Sequence, residues 1–183
     1  MYRVSVITSY IILFCISFYC LVSHFERTKF TLRFLSITLG IICSFSIFGA
    51  LRWSFPCNWN FEEIHVILTF LVPAVAVPCM VLESWLDRGT LRNAHVWAHF
   101  IVGLSLTLLK LKKMLMLQKD LVKALAFFNL VCLLLASLFY RDYNVAILLL
   151  LFIMSQYGAY SKPPEHLYNY CLGGFTYAAY KSV

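Results

Sequence analysis

Charged side chains are scarce in this chain of 183 residues, since aspartate, glutamate, lysine and arginine together make up 13% of it. Soluble domains usually carry roughly 25%. Hydrophobic residues make up 62%, which is more than the core of a soluble domain of this length encloses. The composition therefore excludes an ordinary water-soluble domain.

Common functional motifs are also missing. The cysteines form no Cys-x-x-Cys pair and no Asn-x-Ser/Thr acceptor is present, so neither thiol exchange nor N-glycosylation is indicated. No phosphate-binding loop, Gly-x-Ser-x-Gly elbow or DNA-binding pattern occurs. The sequence predicts no cofactor and no nucleic-acid partner, and it carries no signature of hydrolysis.

Long uncharged or nearly uncharged runs make up most of the chain, and each approaches the roughly 20 residues that cross a bilayer as a helix. They lie at 4–24, 34–51, 64–82, 94–109, 124–139 and 143–160. None alternates like a barrel strand, and backbone groups in lipid must bond within their own segment. The sequence predicts an all-α polytopic membrane protein, with a bundle of about six transmembrane helices over 1–160 and an aromatic-rich C-terminal tail over 161–183.

The third run contains Pro73 and Pro78, each of which removes a backbone donor and disfavours continuous helix. Membrane helices nevertheless tolerate proline among neighbouring helices. We predict a spanning helix, with a re-entrant hairpin as the alternative. Glu62 and His65 lie at the start of this run. Only the hairpin would bring them close to the residues that follow the end of the run.

Lysines and arginines are distributed almost evenly between the two faces of a six-span bundle. A slight excess falls on the face that holds Arg3, Arg52 and, in this arrangement, Lys181. Because cytoplasmic loops are enriched in these residues, the excess favours cytosolic termini.

His95 and His99 lie four residues apart and therefore share one helical face. In the spanning arrangement they begin the fourth helix, beside Glu83 and Asp87 at the end of the third. These side chains could hold zinc or iron with a bound water as nucleophile. That site would make the chain an intramembrane metal-dependent or His/carboxylate lipid-modifying enzyme, which is the alternative to the function predicted below.

Packing is the preferred interpretation of the two histidines, because they continue into Gly103 and Thr107 along the same face. Such ladders of small and polar residues pack helices together in lipid. The second run carries a similar ladder, so the predicted helix-packing residues are Ser36, Gly40, Ser44 and Gly103. No metal is predicted.

The segment between the fourth and fifth runs, "KLKKMLMLQKDLVK", alternates lysines with apolar residues. This pattern is typical of a segment that lies at the headgroup level of anionic lipid, although a charged loop that only sets topology has the same composition. The predicted headgroup contacts are Lys110, Lys112, Lys113, Lys119 and Lys123.

Aromatic residues cluster in the loop before the third run and in the C-terminal tail. A disordered tail is normally poor in aromatics, so these rings are expected to bury against the membrane interface or a partner. The predicted partner-docking residues are Trp53, Phe55, Trp59, Phe61, Tyr168, Tyr170, Phe175 and Tyr177.

These patterns predict a non-enzymatic accessory or scaffolding subunit of a larger membrane complex, with membrane lipids and other membrane-protein subunits as partners. A lipid-handling role and the endoplasmic reticulum are favoured. A small transporter or channel component is the second alternative, but such proteins usually place ionisable residues near the middle of their spans. Here the middles hold only mild polar groups such as Ser44 and Thr69.

Overall fold

The computed structural model describes residues 2–29, 31–86, 101, 104–105, 124, 127–135, 138, 143–157 and 165–182. Every regular element among them is helical. The prediction of an all-α protein is therefore confirmed for the part of the chain that the structure describes.

The helices have the following bounds. They are α1 Tyr2–Arg27, α2 Phe34–Ser54, α3 Trp59–Leu71, α4 Val77–Leu86, α5 Tyr143–Tyr157 and α6 Glu165–Ser182, with a π-helical turn at Val72–Ala76 that joins α3 to α4. Residues 127–135 are also helical. Three segments are long and apolar enough to cross a bilayer, namely Tyr2–Arg27, Phe34–Ser54 and Trp59–Leu86. They fit an integral membrane protein, whereas the total of six spans stays a prediction.

The third predicted span is continuous helix from Trp59 to Leu86 and does not turn back at its prolines. Pro73 lies in the π-helical turn and Pro78 in the first turn of α4. The Thr38 hydroxyl of α2 donates to the carbonyl oxygen of Ala76 at 2.8 Å. This hydrogen bond joins the proline-containing segment to α2. The chain therefore does not form the re-entrant hairpin that was the alternative for this run.

α1 packs against α2 and α6, α6 also contacts α5, and α2 contacts α3, the π-helical turn and α4 as well. Tyr10 of α1 is fully buried beside Phe45 of α2, with ring centroids 5.6 Å apart. The ring of Tyr10 also lies directly against Gly49, where a Cβ atom would overlap it. The two helices can approach this closely because position 49 has no side chain.

Polar contacts identify which helix ends lie together. Arg3 donates to the backbone oxygens of Trp53 and Ser54 at 2.7 and 2.9 Å, and Arg52 pairs with Glu165. The first residues of α1, α3 and α6 and the last residues of α2 therefore share one end, called here the Arg52 end.

The opposite end of the bundle, called here the Arg33 end, joins the last turns of α1 and α6. The guanidinium of Arg27 lies 4.6 Å from the ring centroid of Tyr180, and Tyr19 packs edge-on against the same ring. At this end Arg33 pairs with Glu83 of α4 at 3.6 Å.

Residues 165–182 form a helix within the bundle, although the sequence reads as a tail. Because α6 runs from Glu165 at the Arg52 end to Lys181 at the Arg33 end, Lys181 lies opposite Arg3. The prediction that Lys181 and Arg3 lie on the same face of the bundle was therefore wrong. The sequence analysis did not predict this helix, because the segment has low hydropathy. Its buried side contacts α1 and α5.

Candidate functional site: a polar network at the Arg52 end

Arg52, in the last turn of α2, connects three helices. Its Nη1 atom lies 3.2 Å from Oε1 of Glu165 on α6, and its Nη2 atom lies 3.9 Å from a carboxylate oxygen of Glu62 on α3. The neighbouring Trp53 donates its indole N–H to the second oxygen of Glu165 at 2.7 Å. Glu165 therefore ties the start of α6 to the end of α2 through both carboxylate oxygens.

His65 is buried behind this ion pair and uses both ring nitrogens. Nδ1 lies 3.4 Å from Nη1 of Arg52, and Nε2 lies 2.9 Å from the hydroxyl oxygen of Tyr10. A guanidinium only donates, so Nδ1 must accept and the ring proton must lie on Nε2. We therefore assign the Nε2–H tautomer, which donates to the phenolic oxygen of Tyr10.

Aromatic rings fix the orientation of the His65 imidazole. Phe45 stacks on it with centroids 5.1 Å apart, and Tyr10 meets it edge-on at 5.7 Å. Tyr168 of α6 packs edge-on against Phe45 at 6.0 Å. These ring contacts restrict the orientation of the imidazole that carries the hydrogen bond to Tyr10.

A second polar contact joins α6 to α1 deeper in the bundle. Asn169 is buried and donates from Nδ2 to the hydroxyl oxygen of Ser9 at 2.9 Å. Ser9 in turn donates to the backbone oxygen of Val6. Hydrogen bonds of this kind hold membrane helices together where lipid offers no alternative partner.

A cavity of about 360 Å³ opens beside the network. Its polar end is formed by Arg52, His65 and Glu165, and its apolar wall includes Val66, Phe70 and Pro73. The cavity therefore brings both signs of charge and an apolar surface together at one site.

Glu83, the described member of the predicted metal site, pairs with Arg33 and accepts a hydrogen bond from the Leu35 backbone N–H at 3.4 Å. The Glu83 carboxylate therefore lies at the N-terminus of α2, where a negative charge is stabilised by the helix dipole. Asp87, His95 and His99 lie outside the described residues. Among the residues that the structure does describe, no cluster of three or more His, Cys, Asp or Glu side chains has the arrangement of a metal site.

The ladder on α2 is only partly covered. Ser36 is buried and accepts a hydrogen bond from the Arg33 backbone N–H, whereas Ser44 turns its hydroxyl to the carbonyl oxygen of Gly40 at 2.9 Å. Within the described ranges, and apart from the backbone of α2 itself, no atom lies within 4 Å of a Cβ placed on Gly40. The close approach within the chain occurs at Gly49 instead. Gly103 lies outside the described residues.

The predicted docking aromatics lie in different environments. Trp59 is 76% exposed and Phe55 is also exposed, both in the loop at the Arg52 end, where Phe61 packs beside Phe55. Trp53 is held by Glu165. This loop is the part of the predicted surface that is open to a partner.

The aromatics of α6 do not extend that surface. Phe175 is 1% exposed and belongs to the core, and Tyr168 packs against the core ring of Phe45. Tyr170 and Tyr177 are exposed, but Tyr177 lies beside Lys181, toward the Arg33 end. A single docking surface that joins all these rings is therefore not present in the structure.

The predicted lipid-headgroup lysines, Lys110, Lys112, Lys113, Lys119 and Lys123, lie outside the described residues. Their role stays a prediction.

The Tyr10–His65 pair was missed by the sequence reasoning. The only local signal was the Glu-x-x-His spacing of Glu62 and His65, and it does not identify the partners on α1 and α2. Comparison of the chain with protein-family models, curated proteins and solved structures finds no match.

Proposed function

We propose that this protein is a non-enzymatic subunit of a larger membrane assembly, in which it contributes a preformed helical bundle. The observation that carries the proposal is the space at Gly40 of α2, where no atom of another described helix lies within 4 Å of an added Cβ atom. Small residues in membrane helices allow another helix to approach closely. The expected occupant is a transmembrane helix of a second subunit.

The hydroxyl geometry of α2 supports this role. Ser44 already bonds to the carbonyl oxygen of Gly40, so a second helix can lie over this face without burying an unsatisfied hydroxyl proton. Gly40 itself adds no side chain between the two backbones. The face is therefore suited to van der Waals packing, which drives helix association in lipid.

Support for a non-catalytic role comes from how the polar side chains are used. Tyr10 with His65, Arg52 with Glu165, and Ser9 with Asn169 each join two different helices. Such contacts maintain the fold of the bundle. They also explain why polar residues occur in the apolar chain without requiring a reaction.

The complete bundle is proposed to contain the six predicted runs together with α6, because α6 extends along α1 from one end to the other. The endoplasmic reticulum is the proposed location, since the sequence has no glycosylation acceptor and few residues outside its apolar runs.

Purification in mild detergent tests the proposal. We expect the chain to elute with defined additional polypeptides at a mass above that of one chain. Elution as a single chain with no stoichiometric partner would contradict the proposal.

A further inference from the structure

The cavity beside the Arg52 network is an amphipathic groove along α3. Val66, Phe70 and Pro73 follow one side of the helix, and the distance from His65 to Pro73 is about 12 Å at 1.5 Å per residue. Arg52 and Glu165 lie at one end of the groove, next to the end of the bundle. A charged end followed by an apolar wall matches the order of headgroup and acyl chain in a lipid.

Both charged groups at the mouth remain accessible. The side chains of Arg52 and Glu165 are 32% and 30% exposed although they lie 3.2 Å apart. Arg52 uses Nη1 for its bonds to Glu165 and His65, while Nη2 is 3.9 Å from Glu62. Within the described part of the chain, the guanidinium therefore retains N–H donors for a phosphate.

The two charges of the Arg52–Glu165 pair indicate the type of headgroup. A headgroup that carries a phosphate and an ammonium offers a counterpart to each member of the Arg52–Glu165 pair.

The backbone at the inner end of the groove is also unusual. Pro73 lies in the π-helical turn Val72–Ala76, where the N–H of Val77 bonds to the carbonyl oxygen of Val72. π-Helical turns are rare and are found frequently at functional sites. The turn and the charged pair are independent features, and both line the same groove.

We propose that this groove binds a zwitterionic phospholipid from the surrounding bilayer. Its phosphate contacts Arg52 and its ammonium group contacts Glu165. The first part of one acyl chain lies against Val66, Phe70 and Pro73. A volume of about 360 Å³ is within the range of ligand sites, which is roughly 300–1,000 Å³. This inference goes beyond the proposed subunit role and does not depend on it.

Native mass spectrometry of the purified full-length chain tests the proposal. Phosphatidylcholine and phosphatidylglycerol with identical acyl chains are titrated separately, and free phosphocholine is added as a competitor. We expect phosphatidylcholine to bind about tenfold more tightly than phosphatidylglycerol. Free phosphocholine should not compete, because it lacks the chain that contacts the apolar wall. Equal affinity for the two lipids, or full competition by phosphocholine, would overturn the proposal.

Two matched variants test whether the lipid binds in this groove. Val66 is 48% exposed and lines the groove, whereas Ile64 is 36% exposed on the same helix and does not. Val66→Trp should fill the groove and weaken phosphatidylcholine binding about tenfold, while Ile64→Trp should leave it unchanged. Both variants should unfold at similar temperatures. Equal lipid affinity in Val66→Trp and Ile64→Trp would show that the lipid binds elsewhere and would refute the assignment.

The headgroup assignment has its own variant. Glu165→Gln keeps an oxygen that accepts the Trp53 N–H but removes the negative charge. We expect the preference for phosphatidylcholine over phosphatidylglycerol to decrease in this variant. A preference that is unchanged would contradict the contact between the ammonium group and Glu165.

Discussion

Gly49 of α2 lies against the ring of Tyr10 of α1 so closely that a Cβ atom at position 49 would overlap the ring. At Gly40, on the same helix, no described atom apart from the backbone of α2 itself lies within 4 Å of the equivalent position. The two glycines therefore have different roles. Gly49 allows α1 and α2 to pack within the chain, whereas Gly40 lies on the face that we assign to a second subunit.

A pair of alanine variants distinguishes these roles. Gly49→Ala should lower the free energy of unfolding by about 1–3 kcal/mol, because the added methyl forces the Tyr10 ring or the backbone to move. Gly40→Ala should leave stability unchanged or raise it by up to about 1 kcal/mol, since alanine favours the helical backbone. Thermal unfolding in detergent measures both. Equal midpoints for the two variants would show that position 49 is not a close approach.

The hydrogen bond between Tyr10 and His65 should contribute to stability. Tyr10→Phe keeps the ring packing but leaves the Nε2–H of His65 without its partner, and we expect a loss of about 1 kcal/mol. Tyr177→Phe is the matched control, because that side chain is exposed. Unfolding midpoints that fall equally in the two variants would count against the pair.

The tautomer of His65 is a separate prediction. Since Arg52 only donates to Nδ1, the proton should be found on Nε2. Nitrogen NMR of the labelled protein in lipid distinguishes the two ring nitrogens by chemical shift. A signal from protonated Nδ1 would exclude the hydrogen bond from Arg52 to this ring.

The path of α6 predicts a specific labelling pattern. Cys57 is exposed in the loop at the Arg52 end, and Lys181 lies at the opposite end. In chains that retain one cysteine, Cys57 and Lys181→Cys should react with an impermeant maleimide from opposite sides of the membrane. Labelling of both from the same side would mean that α6 does not cross. A chain without cysteines provides the background.

Composition was sufficient to predict helices and a membrane environment, because few charges and long apolar runs leave no other fold that satisfies the backbone in lipid. The prolines of the third run were ambiguous for a physical reason. Pro73 and Pro78 remove donors, which membrane helices tolerate among neighbouring helices. The packing of this segment against α2, including the hydrogen bond from Thr38 to the Ala76 carbonyl oxygen, cannot be inferred from the local sequence.

The C-terminal segment shows a further limit of the sequence. Its polar residues lower the hydropathy of 165–182, yet Asn169 and Glu165 point at partners on α1 and α2. Phe175 was expected to contact a partner and is instead part of the core. A helix that packs among other helices needs no uniform apolar surface, so hydropathy alone does not identify it.

The candidate site depends on long-range contacts. His65 meets Tyr10 and Arg52 from separate helices, and the charged end of the groove includes Glu165, which is far away in sequence. Neither spacing nor composition relates these residues. The ladder of Ser36, Gly40 and Ser44 could be recognised from its spacing. The close approach at Gly49 could not, because Gly49 belongs to no such pattern.

The most direct test of the subunit role is the mass of the detergent-solubilised assembly for wild type and Gly40→Leu. We expect the wild-type chain in a complex with other polypeptides. Gly40→Leu should release the chain as a single species that keeps its unfolding temperature, because leucine would separate α2 from an external helix without disturbing the described core. A wild-type chain that is already alone, a Gly40→Leu chain that stays in the complex, or one that unfolds would contradict the account.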